Sequence, residues 1–519
     1  MACDRIGFID CSLRDGHQSL LATRMSTAQC MRVLPLLRDS GYRILELWGG
    51  ATLDAALRFT GDDPFGRLET FRKALGDPKR GGVSIRSLCR GQNLFGYTPY
   101  HDAVVCAFLK QAVRTGSDRI RIFDALNDDR NLITAIMATK TFNGHAEAAI
   151  SYTTSPVHDT AHFIEFARRA LDHGADSLAI KDMAGLLHPS AAFELIQALR
   201  RQFPGVELIL HSHCTNGLAI ASYVVGMLTG VDYLDVGYGP MAGGTAQPPA
   251  ELMGYFAREL GLEVDVDLSP APRIDAELRQ IRKELAEVDA DPEHFGGPWP
   301  TEPDRQMRDK IARATALLQK RDDHSIERAI AIIEDEIMVP MGYPAVDRSQ
   351  LDAQIPGGMI SNLHHQLKQQ GQLDKMPQIL EEVPRVRAAA GYVPLVTPTS
   401  QIVGTQAAFN VLQGEPYAMV TEPFRDLVMG RYGRLPGEPD AQVLRKVSRG
   451  QPPMLKRPAT YVPPVDLDAV LREHGHLIRG DRDLLLLLLF PVAAKKFLTE
   501  QAAPTEPAAA PPDPVAAGG

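Results

Sequence analysis

The sequence predicts an α/β protein: a (β/α)₈ barrel of the TIM type, followed by a mostly helical C-terminal domain. Three observations predict it. Eight short β-rich runs recur through the first half of the chain. Stretches with helical spacing separate them, as at residues 102–115 and 160–173. Glycine punctuates the alternation at Gly41, Gly116, Gly174 and Gly230, where a left-handed helix cap suits a residue without a Cβ. Eight strands alternating with helices are what a closed parallel barrel requires.

In order, strands are expected at residues 6–10, 44–47, 83–88, 120–123, 148–152, 177–180, 206–210 and 233–236. The competing architecture is a doubly wound open sheet. It usually carries a Gly-rich phosphate turn after its first strand, whereas here Asp10 is followed by CSLRDGHQS. The barrel domain is therefore assigned to residues 1–300. From about residue 265 proline becomes frequent and the helices become charged, as at 274–288 and 305–321. Residues 301–475 are expected to form a helical domain covering the barrel mouth, punctuated by Pro-Gly turns. A terminal helical segment at 476–501 and a disordered Ala/Pro-rich tail at 502–519 complete the chain.

Composition excludes several functions. The chain carries 55 basic and 64 acidic residues, a formal net charge of -9. That balance offers no broad attraction to nucleic acid or to anionic membrane. The six cysteines form no C-x-x-C pair, which argues against a disulfide framework or zinc knuckle and fits a reducing cytoplasm. The N-terminus lacks the pattern of a signal peptide. The longest apolar run, residues 484–490, falls short of the ~20 residues of a membrane span and reads as a buried helix turn.

Reactive groups of such barrels sit at the C-terminal ends of the strands. Polar residues crowd those ends here: Arg14, Asp15, His17 and Gln18 after the first strand, Glu46, Trp48 and Asp54 after the second, Arg90, Asn93 and Tyr97 after the third, Lys181 and Asp182 after the sixth. The seventh leads to His211-Ser212-His213. Residues two apart on a strand point the same way, so both imidazoles can face one ion. A lone H-x-H is more often a surface pair, but this one follows a mostly apolar strand. Asp15 can add an oxygen, and two His with a carboxylate suit a divalent transition ion. Lys181 follows an apolar strand that would desolvate its ammonium and lower its pKa. The commoner alternative is a rim pair with Asp182; the chemical one is a neutral amine that takes up CO₂, its carbamate becoming a further metal ligand. Arg14 and Arg90 are candidate carboxylate clamps, with structural ion pairs as the alternative. Cys11, Cys89 and Cys214 read as small core residues.

These residues lie in longer strings: LRDGHQSLLATRM (13–25), ELWGGATLDAALRF (46–59), RGQNLFGY (90–97), SYTTSPVH (151–158), IKDMAGLL (180–187), HSHCTNGLA (211–219) and MAGGTAQP (241–248). PGGMISNL (356–363), VTPTSQIVGTQA (396–407) and GRYGRLPGEP (430–439) follow in the second region. Together they resemble the biotin-dependent carboxyltransferase family, from about residue 5 to 500. That family includes the carboxyltransferase domain of pyruvate carboxylase, the α subunit of oxaloacetate decarboxylase and the central subunit of methylmalonyl-CoA–pyruvate transcarboxylase.

The resemblance implies a divalent metal (zinc, manganese or cobalt) held by Asp15, carbamylated Lys181, His211 and His213. It implies that Arg14, Gln18 and Arg90 hold a keto acid with Tyr97 nearby, that Thr397 shuttles a proton between keto acid and biotin, and that Asp54 orients the site. Two departures stand out: DCSLRDG replaces DTTLRD, and Asn216 stands where Ser or Thr is expected, which bears on substrate contacts. No biotin-attachment Met-Lys-Met string and no ATP-grasp segment are present, so carboxybiotin is expected on a partner chain. The expected partners are a biotin carboxyl carrier protein or biotinylated subunit, with biotin carboxylase or membrane decarboxylase subunits beyond it. A homodimer or larger assembly follows by family analogy.

The direction of carboxyl transfer is left open, an oxaloacetate decarboxylase-type subunit being the alternative. The rival classes are the acyl-CoA lyases and condensing enzymes, which share L-R-D-G-x-Q and H-x-H but not IKDMAG or TPTSQIVG, and a non-catalytic scaffold subunit.

Overall fold

The computed structural model describes residues 4–346, 363, 367 and 371–502. Eight parallel strands close into a barrel: β1 (Arg5–Asp10), β2 (Ile44–Gly49), β3 (Ser84–Cys89), β4 (Arg119–Phe123), β5 (His145–Ser151), β6 (Ser177–Asp182), β7 (Glu207–Ser212) and β8 (Tyr233–Val236). Each pairs with its successor, β8 pairs with β1, and β1 with β2 through Asp10 and Leu45. A two-residue strand, β9 (Glu263–Val264), adds to the outside of β1.

The eight expected strands are all present, with shifted ends. The sixth runs on through Lys181 and Asp182, and the seventh through His211 and Ser212. Polar residues at strand ends look like loops in sequence; here backbone pairing in register, Lys181 beside His211, keeps them in the sheet. The helix expected at 102–115 is Asp102–Thr115, and that at 160–173 is Thr160–Asp172. His101 and Asp159 cap them by accepting from Ala103 N and His162 N.

A repeated device closes the bottom of the barrel. Asp118, Asp176 and Asp232 each precede an even-numbered strand, and each carboxylate accepts a backbone N–H near the start of the odd strand before it: Ile85 N at 2.7 Å, Ala146 N at 2.8 Å and Leu208 N at 2.7 Å. Asp265 does the same for Phe8 N at 3.0 Å. These donors lie at the barrel edge, where no strand residue reaches them. Gly174 (φ 100°) and Gly230 (φ 86°) end the preceding helices in the left-handed region, as expected.

Inside the barrel, Ile9, Ile44, Leu88, Phe123, Ala149, Ala179 and Ile209 form an apolar layer. The same alternation points charged residues inward, Arg86, Arg121 and Glu147 each two residues before a member of that layer. In β2 a bulge between Glu46 and Trp48 changes sides. Glu46 faces the interior, while Trp48 stacks on Phe108 outside and donates from Nε1 to Pro64 O at 2.8 Å.

Contacts divide the chain at Pro464. Within the first unit, the helices Met376–Ala389, Thr399–Gln413, Glu422–Val428 and Ala441–Ser448 share a core that takes in Leu126 from the loop after β4. Asn131 Nδ2 donates to Tyr432 O at 2.8 Å, and Arg434 N to Asp128 Oδ2 at 2.7 Å. Arg387 Nη2 donates to Thr153 Oγ1 at 3.0 Å and Thr154 O at 2.9 Å. These partners follow the C-terminal ends of β4 and β5, so the helices sit against the mouth. In the second unit the apolar run falls in the helix Asp481–Leu489, with Leu485, Leu486, Leu487 and Leu489 buried. No helix among the described residues is long and apolar enough to cross a membrane. The string at 356–363, apart from Leu363, and the tail from residue 503 lie outside the described residues.

Candidate metal centre at the barrel mouth

The chain leaves β1 through a π-helical turn, Ser12–Gly16, closed by Gly16 N to Cys11 O at 2.9 Å. This wide turn places Arg14 and Asp15 over the barrel interior. His213 follows β7 in extended conformation (φ -96°, ψ 146°), so strand alternation persists past Ser212 and carries it to the side of His211. Four side chains converge. Asp15 Oδ2 lies 3.3 Å from His211 Nε2 and 3.5 Å from His213 Nε2. Lys181 Nζ lies 3.0 Å from His211 Nε2 and 3.8 Å from Asp15 Oδ2.

The two histidines test whether a cation fits. His211 Nδ1 faces Asp235 Oδ2 at 2.7 Å, and His213 Nδ1 faces Thr245 O at 2.6 Å. Each acceptor fixes a proton on Nδ1, so both Nε2 atoms carry unprotonated lone pairs, 3.1 Å apart, with Lys181 Nζ 3.0 Å from the first and Gln247 Nε2 3.1 Å from the second. Two lone pairs cannot bond to each other, and a cation satisfies both. Spacings of 3.1, 3.3 and 3.5 Å suit neighbouring ligands each about 2 Å from one ion. The acceptors behind the rings are the outer partners such ligands require.

Burial and neighbouring charge set the protonation. Burial, then Lys181, push His211 down to about 3, so its ring is neutral. Burial alone would raise Asp15, but Arg14, Lys181 and His213 hold it well below the usual carboxylate range. Burial draws the Lys181 ammonium down to about 8 against the pull of Asp15. The rim pair with Asp182 does not form: Asp182 points to the other side of β6 and accepts from Leu186 N, Leu187 N and Ser212 Oγ.

Beneath the cluster lies a ladder of three guanidiniums and three carboxylates that the sequence reading missed. Arg14 Nε donates to Glu46 Oε1 at 2.6 Å; Arg86 bridges Glu46 Oε2 and Asp235 Oδ2, both at 2.8 Å; Arg121 binds Glu147 and Asp235. The available signal was a charged residue inside each of several mostly apolar strands, as in ILELWG, RIRIF and YLDV. Arg14 is thereby committed to Glu46 through Nε and Nη2, leaving Nη1 facing Gln18 Oε1 at 3.3 Å.

Of the other expected site residues, Arg90 donates from Nη1 to Gly96 O at 2.7 Å, while its buried Nε has no partner. Tyr97, close enough to Arg90 to act on its charge, is 57% exposed. Asp54 forms an exposed ion pair with Arg58 at 2.6 Å. Thr397 is exposed in the loop before the helix Thr399–Gln413. Among the described residues, Asp54, Tyr97 and Thr397 make no hydrogen bond or ion pair with the four-residue cluster. Asn216 donates to Ala184 O at 2.7 Å, a structural use of its amide. Cys11, Cys89 and Cys214 are buried free thiols, pushed up by burial.

Two family models match the chain, one described as HMGL-like over residues 104–276, the other as a conserved carboxylase domain over residues 351–518. A pyruvate carboxylase subunit of Methanothermobacter thermautotrophicus is 38% identical over 495 residues, covering 95% of this chain and 77% of the relative. The methylmalonyl-CoA carboxyltransferase 5S subunit of Propionibacterium freudenreichii is 36% identical over 503 residues, covering 96% and 88%. The carboxyl transferase domain of Rhizobium etli pyruvate carboxylase, solved with oxamate and biotin, matches with a TM-score of 0.79 at 27% identity, covering 97% of this chain and 79% of that one. The chain belongs to the biotin-dependent carboxyltransferase family. It is an enzyme of that class, and membership implies biotin and a metal as its cofactors.

Proposed function

We propose that the chain is the carboxyltransferase subunit of a biotin-dependent enzyme, moving a carboxyl group between carboxybiotin on a partner chain and pyruvate or oxaloacetate. The observation that carries this reading is the convergence of Asp15, Lys181, His211 and His213 on one point at the barrel mouth. Those four would hold a zinc, manganese or cobalt ion, with Lys181 serving as its carbamate. The ion, when bound, supplies Lewis-acid polarisation of the substrate's keto oxygen.

The chain's own residues do the rest. Arg90, with an unpartnered Nε, binds the keto-acid carboxylate and stabilises charge that develops on the neighbouring oxygen. Arg14 and Gln18 present one amide–guanidinium edge to the same substrate, and Tyr97 closes over it. The Thr397 hydroxyl, both donor and acceptor, relays a proton between the substrate's methyl carbon and biotin. Asp54 orients the approach. The helices on the β4 and β5 side form the cover over the mouth. A biotinylated carrier protein is the required partner, in the cytoplasm and with the chain as a homodimer or larger. Whether carboxylation or decarboxylation dominates depends on those partner subunits.

The test is oxaloacetate decarboxylation by the purified chain, with and without free biotin, with metal content read on the same sample. Biotin-stimulated pyruvate formation in metal-containing protein is expected. Bound metal without any turnover would move the chain to the acyl-CoA class. No metal and no turnover would make it a scaffold.

A further inference from the structure

Gln247 lies in the loop after β8 and is fully buried, at 0% exposure. Its Nε2 is 3.1 Å from Asp15 Oδ2 and 3.1 Å from His213 Nε2. Its backbone is pinned. Gly243 N donates to Gln247 O at 2.8 Å, and Cys214 N to Ala246 O at 2.8 Å, while Thr245 O holds the His213 ring. Residues 245–247 thus grip one ligand from the turn after β1 and one from the end of β7.

The amide nitrogen is a donor only. Asp15 Oδ2 and His213 Nε2 are both acceptors, 3.5 Å apart, and the amide serves both. The ring nitrogen has a single lone pair, so a cation there takes the place of the amide. The carboxylate oxygen has a second lone pair and can keep the Gln247 bond while facing a cation. Without that bond the groups left to hold the carboxylate against Arg14, whose Nη2 is 3.1 Å from Asp15 Oδ2, are the longer contacts from Ser19 Oγ to Oδ1 at 3.4 Å and from Lys181 Nζ at 3.8 Å. The carboxylate would turn onto the guanidinium and away from the histidines. Gln247 Oε1 is buried without a hydrogen-bond partner. An apolar side chain of equal length would avoid that cost, so packing does not account for an amide here.

We infer that Gln247 is a positioning residue of the metal centre, holding Asp15 against Arg14 so that the carboxylate and His213 face the same ion. The inference rests on the metal-site reading above and adds to it a residue that sets metal affinity without being a ligand.

The experiment is titration of the metal-free full-length protein with Co²⁺ and Zn²⁺ in competition with a chelator, without substrate or biotin. The visible Co²⁺ spectrum and the Tm of the metal-free protein are read alongside. Gln247→Met keeps length and removes the donor. It is expected to weaken Co²⁺ binding about 10–100-fold, to alter the spectrum and to leave the metal-free Tm unchanged. Wild-type affinity and spectrum in Gln247→Met would overturn the inference. Should that variant fail to fold, Gln247→Leu, apolar and unable to ligate the ion, carries the test: weakened Co²⁺ binding with a changed spectrum supports the role, and wild-type affinity and spectrum refute it. If wild-type protein binds neither ion, the metal-site reading falls and this inference with it. Wild-type binding with indifferent variants removes Gln247 alone.

Discussion

Asp235 joins the metal cluster to the ion ladder: its Oδ2 accepts from His211 Nδ1 at 2.7 Å and from Arg86 Nη2 at 2.8 Å. The same oxygen also meets Arg121. One carboxylate therefore fixes the tautomer of a metal ligand and bridges two buried guanidiniums that Glu46 and Glu147 also pair. Asp235→Asn is expected to weaken metal binding about 10–100-fold. It should also lower stability by about 3 kcal/mol, since a buried charge loses its partner. Co²⁺ titration and denaturant unfolding check the two effects, and wild-type values in both would remove Asp235 from the site.

Lys181 is buried among an apolar strand and the cluster, with its amine 3.0 Å from His211 Nε2. If its carbamate is a ligand, metal affinity depends on CO₂. Wild-type protein dialysed in CO₂-free buffer should lose metal more readily and regain affinity on adding bicarbonate. Lys181→Met should bind weakly under both conditions. A wild-type response equal to that of the variant would show that no carbamate forms.

Arg14 and Arg90 are expected to differ in kind. Arg14 is tied to Glu46, so Arg14→Ala should cost about 3 kcal/mol of stability. Arg90 forms no ion pair among the described residues, so Arg90→Ala should leave Tm nearly unchanged. It should raise KM for the keto acid about 10–100-fold, the range of a lost charge-assisted hydrogen bond. Equal Tm losses in both variants would refute the distinction.

Glu251, on the helix Ala250–Glu259, is pushed up from 4.5 to about 8 by burial, with Asp275 adding to it. The folded protein therefore holds one more proton than the unfolded chain between those values. Stability from this group is full below pH 4.5 and falls as pH rises towards 8, by up to about 1.4 kcal/mol per pH unit. Glu251→Gln stays neutral throughout. Its Tm should match wild type in mild acid and exceed it in mild alkali. A constant Tm difference across that range would assign the effect to packing instead.

Much of the site was legible because its signals are local. Strand alternation is set within a few residues, so His211 and His213 on one side of β7, with Lys181 on β6, follow from their spacing and from the apolar runs before them. Asp15 was readable as the oxygen beyond the first strand. Glu46 was visible at a strand end, but its role was not. The bulge that turns it inward and Trp48 outward depends on pairing with β3. For Arg14 a substrate clamp and a structural ion pair both stayed open, because nothing in its neighbourhood along the chain shows that Glu46, 32 residues on, takes its Nε.

The sequence by itself determined the barrel, the order of its strands, and the residue types offered at its mouth. It did so because hydrophobic period, glycine caps and strand-end polarity are each written in short stretches of chain. The tertiary structure alone decided which charges meet. Arg86, Arg121, Glu147 and Asp235 lie on four different strands, and Gln247 reaches Asp15 across the closure between β8 and β1. Those distances exist only once the sheet closes and the register of each pairing is fixed, since a slip of one residue would turn every such side chain to the outer face.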